Sequence, residues 1–260
     1  MKVSIVQMDV KLADPAFNFT HAEELIRRAA KGEPDVIFLP ETWNTGFFPK
    51  INLAECCDHE GQQTKQRIGG LAAELRVNIV AGSASDLRGD VVYNTALIFD
   101  RKGGLIAQYD KTHLFTPSGE QDYYQSGSSL CTFELDGKRC GIIICYDIRF
   151  PELTRTLALS GIDVLFVPAQ WPAARRYHWD TLVAARAIEN QIYIAACNSC
   201  SADTKMGGSS RLIDPWGEVL AKAGEGEEII SGDFDFSIIE KIRSTINVYR
   251  DRRPDVYKLL

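Results

Sequence analysis

The sequence has no apolar run approaching the ~20 residues that a membrane-spanning helix needs. It also has no excess of basic residues, since 29 Lys and Arg against 35 Asp and Glu give a net charge of −6. A nucleic-acid-binding surface needs a basic patch, so we expect neither a nucleic-acid partner nor a membrane partner. The N-terminal stretch MKVSIVQMDV lacks the long apolar segment and the small-residue cleavage site of a signal peptide, which predicts a cytoplasmic protein.

Histidine is scarce, and the cysteines do not form a metal-binding pattern. The four histidines lie at no zinc-like spacing from the seven cysteines, and the C-x-x-C pair Cys197/Cys200 has no second pair. A redox motif of this kind normally begins a helix, whereas the residues before Cys197 read as a strand. An odd number of cysteines in a chain this long is typical of reduced thiols. A role for Cys197/Cys200, or for the adjacent Cys56/Cys57, stays open.

The chain also lacks a Pro/Gly/Ser-rich linker and any low-complexity segment, which predicts one domain over residues 1–260. Apolar residues at spacings of three and four predict amphipathic helices, and Thr20 with Glu23 resembles a helix-starting capping box. These helices span 18–31, 64–76, 150–161 and 178–191. Six continuous apolar runs are typical of strands buried on both faces, at 3–8, 35–40, 78–83, 141–146, 163–168 and 192–197.

Three further segments read as hairpins, with two strands joined by a turn that contains glycine. They span 91–111, 128–145 and 210–224. Strands that alternate with helices, with antiparallel hairpins between them, indicate an α/β layered domain with mixed sheets.

Reactive side chains follow three of the predicted strands, at the edge where α/β proteins place their sites. Glu41 follows the run IFLP, Lys111 follows IAQYD, and Cys145 ends GIIIC. A thiol near its ordinary pKa of ~8.5 is mostly protonated at neutral pH and needs a base or a positive neighbour. Glu41 could serve as the base, while Lys111 and the backbone N–H of Tyr146 could stabilise an oxyanion. Read singly, each side chain is also compatible with an ordinary surface charge or a core thiol.

Other cysteine chemistries fit these residues less well. A papain-like site needs a histidine partner, and no local context singles out one of the four. A phosphatase loop would place an arginine six residues after the cysteine, where this chain has Pro151.

Three motifs resemble the signature blocks of the carbon–nitrogen hydrolase (nitrilase) superfamily, in the same order. They are LPETWNTGF (39–47), YDKTHLF (109–115) and ICYDIRFPE (144–152). The resemblance covers nearly the whole chain and implies a four-layer α–β–β–α sandwich of the nitrilase type with mixed sheets. It also implies a homodimer formed through a sheet-extending interface.

The same resemblance implies a catalytic triad of Glu41, Lys111 and Cys145, with Glu120 as a supporting second glutamate. The implied reaction is amide hydrolysis through a Cys145 thioester, with Glu41 moving protons and with Lys111 and the Tyr146 N–H holding the oxyanion. No metal or organic cofactor is implied. Tyr-Asp after the cysteine is typical of the amidase branch, whereas nitrilases have Trp-Glu there.

Residues 170–198 are especially similar to bacterial omega-amidases, which release ammonia from 2-oxoglutaramate and 2-oxosuccinamate. A substrate of this kind needs a cation for its distal carboxylate, preferably a planar fork. We expect Arg175 to supply it, with Trp171 and Phe47 as walls of the pocket.

Several polar residues near these motifs are expected to be structural. His113 and His178 are predicted to bond to backbone or carboxylate groups. Arg186 with Glu189, and Arg149 with Glu152, lie three residues apart and predict helix-face or interlayer ion pairs.

Two alternatives stay open from the residues. One is a carbamoyl-amide hydrolase or a nitrilase-like enzyme with another small substrate. The other is a non-catalytic binding or thiol redox-sensing protein that keeps the fold.

Overall fold

The computed structural model describes residues 1–201 and 203–257. Two large mixed sheets form its centre. The first has the order β15-β1-β2-β4-β5-β6, with β3 paired to β4, and its strands are β1 (Lys2–Gln7), β2 (Val36–Phe38), β3 (Asp58–His59), β4 (Asn78–Arg88), β5 (Val91–Phe99), β6 (Leu105–Asp110) and β15 (Glu228–Asp233).

The second sheet has the order β14-β13-β10-β9-β8-β7. Its strands are β7 (Thr132–Leu135), β8 (Lys138–Ile142), β9 (Val164–Ala169), β10 (Tyr193–Asn198), β13 (Arg211–Ile213) and β14 (Val219–Lys222). A short ribbon of β11 (Cys200–Ser201) and β12 (Met206–Gly207) lies apart from both large sheets.

The described residues form seven α-helices, of which the first, fourth, fifth and sixth cover the outer faces of the two sheets. They are α1 (Pro15–Ala30), α2 (Leu53–Cys56), α3 (Gln62–Thr64), α4 (Gly70–Leu75), α5 (Pro151–Leu159), α6 (Arg176–Asn190) and α7 (Ser237–Thr245). A π-helical turn, Lys65–Gly69, joins α3 to α4, and single 3₁₀ turns occur at Thr116–Ser118, Glu120–Asp122, Cys145–Arg149 and Ala173–Arg175.

Side chains along each strand point alternately to the two faces of its sheet, and this alternation explains the layers. In β1, Val3 and Ile5 belong to the core between the sheets, where the ring of Phe38 meets that of Phe166 edge-on at 5.2 Å. The opposite face of the first sheet packs on α1 and α4 in a second core. Helices α5 and α6 pack on the second sheet. The predicted four-layer α–β–β–α sandwich with mixed sheets is confirmed.

The three predicted hairpins are confirmed, as β5–β6, β7–β8 and β13–β14. The β7–β8 turn places Asp136 and Gly137 at φ values of 48° and 75°, as a two-residue hairpin turn requires.

The predicted capping box is wrong, because α1 begins earlier than Thr20. Asp14 is the N-cap, and its carboxylate accepts the Phe17 N–H at 3.0 Å, with Pro15 at the first helical position. Thr20 lies within the helix, where its hydroxyl donates to the Ala16 carbonyl at 3.1 Å. Proline at the first position fixes φ for helix entry, which the Thr20–Glu23 pattern does not reveal.

Candidate active site

Strand direction brings the predicted residues together at one edge of the sandwich. Strand β2 is parallel to β4, and β6 has the same direction because it is two antiparallel steps from β4. Glu41 and Lys111 therefore leave the first sheet at the same edge. Cys145 follows β8 of the second sheet, which packs against the first.

The backbone turns sharply at Cys145. Strand β8 ends at Ile142, four residues before the end of the predicted run 141–146, and Cys145 has a φ of +48°. Few non-glycine residues adopt this left-handed conformation, which persists only where the surroundings enforce it. Tyr146 then lies in the first turn of a helical segment, where backbone N–H groups lack an intrahelical acceptor. The helix predicted over 150–161 is confirmed as α5, with Pro151 at its first position.

A fully buried ion-pair cluster lies beside the thiol. The Lys111 Nζ donates to Glu41 Oε1 at 2.8 Å and to both carboxylate oxygens of Glu120 at 3.0 Å. All three side chains are inaccessible to solvent. These three contacts fix the position of the ammonium between the two carboxylates.

Two amide residues complete the surroundings of the carboxylates. Asn94 Nδ2 donates to Glu41 Oε1 at 2.9 Å and to Glu120 Oε1 at 3.4 Å. The Gln170 backbone N–H donates to Glu41 Oε2 at 2.7 Å, and its side-chain amide donates to the Glu41 carbonyl at 2.9 Å. Buried carboxylates need such donors to stay charged.

The cluster sets the protonation state of the thiol. Burial raises the pKa of Cys145 well above its ordinary value, the Glu41 charge and a hydrogen bond to Glu41 raise it further, and Lys111 lowers it. Burial by itself lowers the pKa of Lys111, but Glu120 and Glu41 outweigh burial and raise it well above the ordinary value. At neutral pH the resting site therefore holds a protonated thiol beside a charged lysine.

A small cleft opens over the thiol. Cys145 keeps 7 % of its surface accessible and lies at this cleft. The predicted pocket residues Phe47, Tyr146, Trp171 and Arg175 all line it, together with Phe115, Arg149, Gln170 and Pro172. The structure thus brings all eight predicted site residues into one region.

The cleft contains two arginines without an acidic partner among the described residues. The Arg149 guanidinium lies 4.7 Å from the centre of the Trp171 ring, and that of Arg175 lies 5.2 Å from the centre of the Phe115 ring. Burial, and then the neighbouring Arg175 charge, lower the pKa of Arg149. Two like charges in one small cleft favour an anionic ligand between them.

The predicted Arg149–Glu152 pair is wrong. Arg149 turns into the cleft, where its Nη2 lies 3.2 Å from His178 Nδ1, so that histidine meets a guanidinium and not the predicted backbone or carboxylate group. Helical spacing predicts which residues share a face but not what the rest of the fold offers them.

Two of the other structural expectations are confirmed. The Arg186–Glu189 pair forms at 2.8 Å. Arg186 also donates to the Ile148 carbonyl at 2.9 Å, and this bond joins α6 to the 3₁₀ turn that begins at Cys145. His113 lies at 2.8 Å from a carboxylate oxygen of Asp147.

Within residues 1–201 and 203–257, no group of three His, Cys, Asp or Glu side chains could hold a metal ion. No helix in that part of the chain is long and apolar enough to cross a membrane.

All seven cysteines are free and buried. Cys197 lies in β10 with its sulfur 3.3 Å from the Val6 carbonyl, so its thiol bridges the two sheets.

Sequence reasoning missed Asn94, Gln170, Asp147 and the cleft position of Arg149. Gln170 had a signal, because it directly follows a buried strand, as Lys111 does. Asp147 lies within the ICYDIRFPE motif, but nothing local marks it as buried. Asn94 lies inside β5, and only the pairing of the strands brings it to the two glutamates.

Fold and site together define an α/β sandwich with a thiol, two carboxylates and a lysine at the base of a cleft. A model of the family described as carbon–nitrogen hydrolase matches residues 2–244. The chain belongs to the carbon–nitrogen hydrolase family, as its three motifs predicted.

Individual relatives support this assignment. The chain is 41% identical over 257 residues to the 2-oxoglutaramate amidase of Bacillus subtilis, covering 98% of each chain. It is 32% identical to Omega-amidase NIT2 of Homo sapiens, covering 98% of this chain and 96% of the relative. The crystal structure of Saccharomyces cerevisiae Nit3, from branch 10 of the nitrilase superfamily, matches with a TM-score of 0.86 at 29% identity, covering 97% of this chain and 96% of that one.

Proposed function

We propose that this enzyme hydrolyses the omega-amide of 2-oxoglutaramate or 2-oxosuccinamate to a 2-oxoacid and ammonia. The observation that carries the proposal is a thiol beside a buried Glu–Lys–Glu cluster, in a cleft that also holds two arginines without an acidic partner in the described structure. The thiol and the cluster suit amide hydrolysis, and the arginines suit a substrate with a carboxylate. Relatives named 2-oxoglutaramate amidase and Omega-amidase NIT2 support the same substrate class.

In this proposal Cys145 is the nucleophile and Glu41 is the general base. Glu41 takes the thiol proton as the sulfur attacks the amide carbon, and it returns a proton to the departing nitrogen, which leaves as ammonia. Water activated by Glu41 then cleaves the thioester, which releases the carboxylate and restores the thiol. Glu41 lies near enough to the thiol for its charge to raise the pKa of Cys145, which supports the first transfer.

Lys111 and the backbone N–H of Tyr146 hold the developing oxyanion. The lysine is already fixed by Glu41 and Glu120, so little reorganisation is needed when charge develops. Glu120 acts through Lys111, whose Nζ it holds by two hydrogen bonds.

The opposite end of the substrate would bind Arg175, assisted by Arg149. Both guanidiniums lie on aromatic rings, which hold their planes without neutralising their charge. Phe47 and Trp171 form apolar walls along the carbon chain of the substrate. An amide without a carboxylate would leave both cations unpaired.

We propose that residues 1–260 form a single carbon–nitrogen hydrolase domain. The match of the family model to residues 2–244 supports this, as does the pairing of β1 with β15.

We also propose a cytoplasmic homodimer. Seven free cysteines favour a reducing compartment. Leu159 of α5 and Ile188 of α6 are 44% and 53% exposed, which supports association through the outer faces of these helices, a different interface from the sheet-extending one that the resemblance implies. Light scattering on Leu159→Glu, expected to be monomeric, tests the dimer.

The test of function is ammonia release from 2-oxoglutaramate by wild type, Cys145→Ala and Cys200→Ala. We expect turnover by wild type and Cys200→Ala and loss of turnover in Cys145→Ala, because Cys200 is a buried thiol outside the cleft. Turnover only of carbamoyl amides, nitriles or uncharged amides would contradict the substrate assignment. A folded wild type that hydrolyses none of these substrates would favour the non-catalytic alternative.

A further inference from the structure

Asp147 is a fully buried carboxylate that the proposed reaction does not use. Its Oδ2 accepts the Ile144 backbone N–H at 2.9 Å and the Tyr109 hydroxyl at 2.8 Å. Its Oδ1 accepts the His113 backbone N–H at 2.8 Å and lies 2.8 Å from His113 Nδ1. Four hydrogen bonds therefore converge on one side chain, which no arginine or lysine neutralises in the described structure.

These partners belong to the two segments that hold the reactive groups. Tyr109 and His113 flank Lys111, two residues away on each side, and Asp147 lies two residues after Cys145. A single carboxylate thus joins residues 109–113, the lysine loop, to residues 144–149, the cysteine turn. The His113 ring also stacks on Phe150, with ring centres 3.7 Å apart and planes 10° apart, so the same two segments meet twice.

The cysteine turn requires such support. Cys145 adopts a positive φ, and the hydrogen bond from Ile144 fixes the residue immediately before it. Lys111 approaches from the other sheet, so no local hydrogen bond of the cysteine turn sets the distance between the ammonium and the sulfur. Such distances matter, since a displacement of ~1 Å can reduce a rate about 100-fold.

We propose that Asp147 is a positioning residue that sets the placement of Cys145 relative to Lys111. It acts through geometry and takes no part in proton transfer. This inference rests on the proposed function for its kinetic consequence, whereas the placement itself can be measured by thiol alkylation without any substrate.

Asp147→Asn is the first variant, because it keeps the shape of the side chain and replaces one acceptor oxygen by a donor. The new amide N–H faces groups that donate to Asp147, such as the Tyr109 hydroxyl and the His113 backbone N–H. The hydrogen bonds that join the two segments are therefore lost. We expect kcat for 2-oxoglutaramate to fall about 10–100-fold. The pH midpoint of Cys145 alkylation by iodoacetamide should rise, because Lys111 no longer stabilises the thiolate as closely.

Asp58→Asn is the matched control. Asp58 is also fully buried and accepts the backbone N–H groups of Gln63 and Thr64 at 2.9 and 2.8 Å, but it does not line the cleft. We expect a comparable loss of thermal stability with kcat and the alkylation midpoint unchanged. If Asp58→Asn loses kcat by the same factor as Asp147→Asn, general destabilisation explains the result and the positioning role is refuted.

His113 variants keep the inference testable if Asp147→Asn does not fold. His113→Ala removes one bond to Asp147 and should shift kcat and the alkylation midpoint in the same directions, by less. His113→Asn retains a side-chain donor and should restore both values. A folded Asp147→Asn or His113→Ala variant whose alkylation midpoint equals that of wild type would overturn the inference. If wild type releases no ammonia from any amide, the proposed function fails. The pH midpoint of Cys145 alkylation then tests the positioning role of Asp147 by itself.

Discussion

The charges at the base of the cleft and those at its walls are arranged in opposite ways. At the base, Lys111 is fully buried and is hydrogen-bonded to the carboxylates of Glu41 and Glu120. At the walls, Arg149 and Arg175 lie on aromatic rings without a carboxylate among the described residues. The charges at the base are paired with each other, whereas the two arginines, which we propose bind the substrate carboxylate, have no carboxylate partner in the described structure.

The energetic reason is the cost of desolvation. A fully buried charge without a partner is unstable, so the base must neutralise its own charges before any substrate arrives. The arginines are only partly buried, so solvent can balance them until an anion replaces it. The same comparison predicts that substitutions at the base affect folding and turnover together, whereas substitutions at the walls affect the choice of substrate.

Lys111→Met should give the largest effect, because it leaves two buried carboxylates facing each other. We expect kcat to fall by about 10²–10³-fold through loss of an oxyanion donor. The free energy of unfolding should fall by about 3–5 kcal/mol. Steady-state kinetics and urea unfolding measure the two effects. Lys65→Met is the control, because this lysine binds only an exposed backbone carbonyl. An unchanged stability of Lys111→Met would contradict the description of the base.

Arg175→Gln should raise KM for 2-oxoglutaramate by about 10–100-fold and change kcat little, because the lost bonds hold the ground state and transition state alike. The neighbouring Arg176→Gln is a matched control, since Arg176 pairs with Glu225 at 2.6 Å, outside the cleft. Competition with uncharged amides sharpens the test, because their KM should not respond. Equal effects on charged and uncharged amides would refute an anion site at the walls.

Glu41→Gln should shift the alkylation of Cys145 to lower pH while abolishing turnover. The Glu41 charge and its hydrogen bond both raise the pKa of the thiol, whereas Lys111 lowers it. Without the carboxylate charge the thiolate forms more readily, so alkylation at neutral pH becomes faster although the general base is gone. Iodoacetamide labelling followed by mass spectrometry measures the midpoint. A shift to higher pH would show that Glu41 does not control the thiol.

Cys200→Ser should give the smallest effect, within about twofold in kcat, since the substitution nearly keeps the size of the side chain and lies outside the cleft. Cys200 is 3% exposed, and its burial raises its pKa to about 12, so it is a poor redox thiol. Activity assays with and without mild peroxide test this. A reversible Cys197–Cys200 disulfide that changes activity would revive the redox-sensing alternative.

Much of the fold follows from local patterns. The apolar runs, the hairpin turns and the Pro151-led helix all lie close to their predicted positions, because each depends on neighbouring residues. The errors lie where a local pattern has two outcomes. Thr20 resembles a cap but lies inside α1, and Arg149 shares a helical spacing with Glu152 but turns into the cleft. In both cases contacts outside the pattern decide.

The sequence by itself determined which strands end in reactive side chains, and the family motifs identified Glu41, Lys111, Cys145 and Glu120 as one set. That is possible because strands with a common direction end at one edge of a sheet, whatever their separation along the chain. Only the tertiary structure decided that Asn94 and Gln170 bind the glutamates, that Asp147 joins the two reactive segments, and that Arg149 enters the cleft. Those contacts depend on strand pairing and on how one sheet packs over the other, and neither is written in the spacing of neighbouring residues.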